Sequence, residues 1–180
     1  MQGGRRMFKI GDVVVYPIHG VARITDIRDE NIGGSKQLCY ILETEIQTPR
    51  KPVIKLPVTN VEVNGVRKIV DEQEVPKVLD VLKNRNSNTT AQTWNRRHRE
   101  YQEKMRSGSI FQAAEVYRDL TLLKADKELS HGERKLYDQA RNLLIKELAI
   151  AKQTDEDEME RTINKILSNL KSTDSDDEDK

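Results

Sequence analysis

The sequence predicts an α+β chain in which a small Tudor- or SH3-like β-barrel precedes a compact all-α domain of about five helices. The apolar pattern is short and β-branched up to about residue 70. From about Glu74 it turns helical and stays so almost to the end. Turn residues punctuate the first part and capping residues the second. On this reading residues 1–70 form the β domain, 71–171 the helical domain and 172–180 a disordered acidic tail, STDSDDEDK.

In the first part FKIGDVVVYP, VARITDI, QLCYILET and PVIKLPV are rich in β-branched and aromatic residues and read as strands. Breaks fall at Pro17 to Gly20, at Asn31 to Ser35 around Gly33-Gly34, and at Thr48 to Pro52. A stretch of this length holds about five strands of ordinary size. Cys39, the one cysteine, lies between Leu38 and Tyr40 and reads as packing, since a lone thiol makes no internal disulfide.

EVPKVLDVLKN then places Val75, Val78, Leu79 and Leu82 on one stripe, with Pro76 tolerable in the first turn. Asn84 to Thr90 is polar and reads as a loop. The next helix carries Trp94 and ends at Gly108. Three later starts have capping-box spacing, a hydroxyl residue followed three positions on by an acid or amide: Ser109 with Gln112, Ser130 with Glu133, and Thr154 with Asp157. The apolar faces behind them are Ala113, Val116, Tyr117, Leu120 and Leu123, then Leu136, Ala140, Leu143, Leu144 and Leu148, then Met159, Ile163, Ile166, Leu167 and Leu170. Glu147 is a polar intruder in the second of these.

Charge is unevenly spread. Residues 155–180 carry ten acidic and four basic side chains, which leaves residues 1–154 with twenty-seven basic against twenty acidic. A basic body makes nucleic acid a candidate partner. No apolar run approaches the roughly 18 residues of a membrane span. The start, MQGGRRMFKIGD, lacks the apolar segment of a secretory signal, so a cytoplasmic location is expected.

Catalytic chemistry finds no support. His19, His98 and His131 stand apart from one another and from Cys39, so no metal site is expected. Gly33-Gly34 is a turn between strands, not a phosphate-binding loop, and the carboxylates lie beside lysines and arginines as solvated pairs. The expectation is a protein that is not an enzyme and needs no cofactor.

AQTWNRRHREYQEKM, residues 91–105, is the most informative stretch because it joins the single tryptophan to Arg96, Arg97 and Arg99. At helical spacing Trp94, His98, Tyr101 and Met105 share a stripe about 60° wide, with Arg97 beside it and Arg96, Arg99 and Arg106 turned away. Spacing alone leaves two readings open. A core tryptophan is the ordinary one. The other exposes Trp94 as a minor-groove wedge among phosphate-binding arginines.

FKIGDVVVYPIHGVARI, KLPV, GVRKIV, TWNRRHRE, SGSIFQAAEVYRDL and LSHGERKLYDQARNLLIKEL, with the closing helix, together resemble the CarD family of bacterial RNA-polymerase-binding transcription regulators, in particular the short CarD and CdnL-type proteins. The resemblance runs from about Met7 to Leu170 in the family's order and spacing. It implies a Tudor-like domain, shared with the transcription-repair coupling factor, that binds the polymerase β subunit by aligning a strand with it. It also implies a helical domain that reaches promoter DNA at the upstream edge of the bubble. Trp94 would wedge into the minor groove there while Arg96, Arg97 and Arg99 hold phosphates.

The resemblance implies that the polymerase-binding strand is Val53, Ile54, Lys55, Leu56 and Pro57, with Lys55 where relatives carry a basic contact residue and Glu30 near the place where some carry a second. The implied protein is a cytoplasmic, nucleoid-associated monomer that stabilises the open promoter complex without a membrane or cofactor. Two other readings are a stand-alone nucleic-acid-binding protein and a protein–protein adaptor docking through the Trp94 face.

Overall fold

The computed structural model describes residues 7–17, 19–44, 51–84 and 93–172, and it divides into two compact units between Ile69 and Val70. The first unit is a five-stranded antiparallel sheet built from β1 (Val13–Tyr16), β2 (Gly20–Ile32), β3 (Ser35–Thr44), β4 (Val53–Pro57) and β5 (Arg67–Lys68). Its order is β4-β3-β2-β1-β5, so β4 and β5 are the two edges.

Gly33 and Gly34 make the two-residue turn of the β2–β3 hairpin, with φ of +59° and +85° between the paired Ile32 and Ser35. Two positive φ values in succession define a turn whose twist suits a hairpin, and glycine adopts them without a Cβ clash. The pairing slips by one residue at Thr25, where Ile24 faces Leu42 but Asp26 faces Ile41. Such a bulge sharpens strand twist and helps bend a 13-residue strand.

The first strand is shorter than its sequence suggests. β1 begins only at Val13 because Lys9 to Asp12 close a turn, in which the Lys9 amide donates to Asp12 Oδ2 (2.9 Å) and Gly11 takes φ +93°. The core of the unit is Phe8, Val14, Tyr16, Ala22, Ile24, Tyr40, Leu42, Leu56, Val61 and Val66. The Phe8 ring meets Tyr40 edge-on at 5.9 Å, and the Tyr40 hydroxyl accepts the Phe8 amide at 3.2 Å. Cys39 is fully buried in β3, which pushes its thiol pKa up and suits a packing role. The break at Thr48 to Pro52 lies partly outside the described residues.

The second unit holds α1 (Val75–Lys83), α2 (Trp94–Arg106), α3 (Ile110–Asp126), α4 (His131–Lys152) and α5 (Glu156–Ser172). Val75, Val78 and Leu82 of α1, Val116, Tyr117 and Leu120 of α3, Leu144 and Leu148 of α4, and Met159 and Ile163 of α5 are all buried. α3 is the most enclosed and carries a buried ion pair: Arg118 Nη2 donates to Asp119 Oδ1 at 2.7 Å while Nη1 donates to the Val81 carbonyl at the end of α1 (3.1 Å). Burial pushes the Asp119 carboxyl pKa up in spite of that arginine.

Two of the three expected caps form as spaced. Ser109 Oγ accepts from the Gln112 amide, and Ser130 with Glu133 makes a complete capping box. The third shifts by one residue. Asp155, not Thr154, takes the amide of Glu158 (2.7 Å), while the Thr154 hydroxyl bonds the Glu158 side chain. An aspartate one position on supplies the same three-residue reach with a charge that also suits the helix N-terminus. Glu147 is fully buried, and its Oε1 accepts the amide of Val70 at 3.0 Å, which accounts for a carboxylate on an apolar face. The Asn84 to Thr90 loop, except Asn84, and the acidic tail from residue 173 onward lie outside the described residues.

Candidate nucleic-acid interface and edge strand

Trp94 is the first residue of α2, which starts after Thr93 in extended conformation (ψ 149°). It shares the angular stripe of the buried Tyr101 and Met105, yet it is 44% exposed because it stands at the helix end. Its indole is held on two sides. Nε1–H donates to Ser130 Oγ at the start of α4 (3.3 Å), and the ring stacks on His98 with centroids 5.2 Å apart and an 11° tilt. His98 in turn lies against Gly132, where an added Cβ would come within 2.8 Å of His98 Cε1. The His98 ring thus fills the space between the indole and the first turn of α4.

The arginines divide. Arg96 and Arg99 are exposed, and among the described residues Arg99 makes a solvated pair with Glu103, Nε to Oε1 at 3.4 Å. Arg97 is buried, with Nη2 3.2 Å from Glu133 Oε1. Of the three arginines that the resemblance implies at phosphates, Arg96 and Arg99 are at the surface, while Arg97 turns inward toward a carboxylate on α4. Glu133 also accepts the Ser130 amide through Oε2 (2.9 Å). Burial pushes the Glu133 carboxyl up, but the Ser130 bonds and Arg97 outweigh it and leave the pKa below the ordinary value.

Glu133, Ser130 and Gly132 were not expected at this site, whereas helical spacing already put His98 on the Trp94 stripe. The Ser130-x-x-Glu133 box is legible in the sequence, but nothing local shows that it stands beside a helix 36 residues earlier.

At the edge of the sheet β4 has one neighbour, β3, among the described strands. The Thr44 amide donates to the Pro52 carbonyl (3.4 Å), and the register pairs Leu42 with Ile54 and Tyr40 with Leu56. Hydrogen-bonding direction alternates along a strand, so Ile54 and Leu56 face β3 and the backbone groups of Val53 and Lys55 face outward. Val53 is 56% exposed; Leu56 and Pro57 are buried and hold the strand to the sheet. Lys55 Nζ reaches Glu30 Oε2 at 2.7 Å, and Glu30 Oε1 takes Arg28 Nε at 2.8 Å. Hydrogen bonds from Lys55 and then Arg28 hold the Glu30 carboxyl below its ordinary pKa, so the outer face of this edge carries a paired charge cluster.

Among the described residues no group of three histidine, cysteine or acidic side chains is placed to hold a metal, and no helix is long and apolar enough to cross a membrane.

Comparison with known proteins covers both units. Residues 8–70 match the family model of the CarD-like/TRCF RID domain, and residues 77–164 match that of the CarD C-terminal domain. The Bacillus subtilis (strain 168) protein named "Putative transcription factor YdeB" is 30% identical over 146 residues, which is 81% of this chain and 93% of that protein.

Proposed function

The chain belongs to the CarD family, and on that basis we propose that it is a non-catalytic transcription regulator that docks on the RNA polymerase β subunit through β4 and stabilises the open promoter complex through Trp94. Membership carries the transcription-related role. The finer assignment rests on one observation: the single tryptophan stands nearly half exposed at the tip of α2, with Arg96 and Arg99 exposed on the same helix. An apolar wedge beside cations suits the minor groove, where the wedge props a weakened base step and the arginines hold phosphates. On this reading Trp94 is the wedge and Arg96 and Arg99 make the phosphate contacts, while the burial of Arg97 against Glu133 favours an internal role for it.

The edge strand supports the other contact. Outward backbone groups at Val53 and Lys55 offer main-chain hydrogen bonds to an added strand, and alternate side chains give specificity. Polymerase docking then raises the local concentration of the wedge at the promoter, so weak DNA contacts suffice. A wedge favours the melted state only through its differential affinity for open over closed DNA. A coupling of about 1.4 kcal/mol shifts that equilibrium roughly tenfold. The protein acts in the cytoplasm on this reading, as a monomer on one polymerase.

Promoter melting by purified cognate polymerase, followed with a fluorescent base in the bubble, tests the proposal. Wild type raises the open fraction, and both Trp94→Ala and Lys55→Glu lose the effect. A folded Trp94→Ala protein that opens promoters like wild type overturns the wedge.

A further inference from the structure

We propose that His98 is a positioning residue: its imidazole, backed by Gly132, is the platform that sets the Trp94 indole in its half-exposed pose, with Ser130 tethering the indole edge and the Arg97–Glu133 pair joining α2 to α4 beneath. The inference rests on the reading of Trp94 as the DNA-contacting side chain and adds what makes it effective. A large side chain at a helix end, with neither stack nor tether, samples several rotamers. DNA binding then has to select one of them, and ordering a side chain at an interface is a direct cost to affinity.

Two contacts remove that freedom, and a third feature supports one of them. The stack at 5.2 Å and 11° covers one face, the bond from Nε1 to Ser130 Oγ at 3.3 Å fixes the rotation, and Gly132 leaves room for the imidazole where any Cβ would intrude to 2.8 Å. Ser130 is itself fixed by its capping box with Glu133, and Glu133 by Arg97. On the Nδ1 side the imidazole serves here as a flat surface and not as a hydrogen-bonding group. Its Nδ1 is buried with no hydrogen-bond partner among the described residues, so a ring without that nitrogen gives up nothing.

That distinction sets the test. Trp94 is the only tryptophan in the chain, so its fluorescence anisotropy and acrylamide quenching report the pose directly in the full-length protein. His98→Ala removes the platform, Gly132→Ala displaces it while favouring helix at α4, and His98→Phe keeps a flat ring, one atom larger and without nitrogens. The first two raise quenching and lower anisotropy, and they reduce the shift in promoter opening about fivefold, the scale of one side chain's ordering. His98→Phe keeps both the fluorescence and the opening of wild type.

Unchanged quenching in His98→Ala overturns the platform. Trp94→Ala separates the two levels: if it opens promoters normally the wedge itself fails, whereas the quenching series still decides whether His98 fixes the indole.

Discussion

Replacing Arg97 by methionine decides between a phosphate anchor and an internal strut. Side-chain exposure is 10% for Arg97 and 2% for Glu133, so removal of the guanidinium strands a carboxylate in the interior of the helical unit. Breaking a buried pair from one side costs about 3–5 kcal/mol. Glu133 retains the Ser130 amide at 2.9 Å, so the low end applies and Arg97→Met should cost about 3 kcal/mol. In a helical unit of this size that lowers the melting temperature by roughly 10–20 °C.

Arg97→Met combined with Glu133→Gln removes both charges and should recover most of the loss, to within about 1 kcal/mol of wild type, since neutral replacement of both partners is often near neutral. Urea unfolding followed by far-UV circular dichroism, carried through the two single variants and the double one, gives the coupling directly. Arg97→Met within about 0.5 kcal/mol of wild type, the range of ordinary surface substitutions, would refute the reasoning and return Arg97 to the DNA face.

Other outcomes follow from the same geometry. Arg96→Ala and Arg99→Ala each lower the salt dependence of promoter-complex formation by a slope of about 0.9 and leave stability within about 0.5 kcal/mol; an unchanged slope removes that arginine from the phosphate contacts. Glu133 is held below the ordinary carboxyl value of 4.5, so the stability it contributes is fully present above that pH and is lost as pH falls through its folded-state value. The stability gap between wild type and Glu133→Gln therefore closes in acid, and a gap that stays constant from neutrality to pH of about 3 contradicts the assignment. Val53→Pro deletes one outward amide of the edge strand without touching its bonds to β3, so the sheet stays folded while polymerase β binding weakens. Undiminished binding of that variant argues against strand addition at β4.

What the sequence discloses here is mostly what is local. The β2–β3 turn is legible because glycine pairs have few other uses between strands, and the Ser130 capping box because its two partners sit three residues apart. Trp94 is legible as a residue of interest but not as exposed. Its angular position matches that of the buried Tyr101, and only its place at the helix tip separates them. Arg97 is the converse: it reads like its neighbours Arg96 and Arg99 until Glu133, far along the chain, is placed opposite. The edge position of β4 depends on strand order, which its own five residues do not encode. Likewise the displaced cap at Asp155 competes with Thr154 on equal sequence terms, and helix geometry settles it.

The hydrogen bond from the Val70 amide to Glu147 spans 77 residues, which gives it a place in time as well as in space. Synthesis runs from the N-terminus, and the sheet can assemble as soon as its five strands have left the ribosome. The first amide of the helical unit must wait, solvated, until α4 has emerged and docked. Closing so long a loop comes late because its entropy must be met before the contact returns anything. The nascent β domain is therefore finished while the segment that follows it still lacks its buried anchor, and the clasp at Glu147 marks the moment at which the second unit closes on its own beginning.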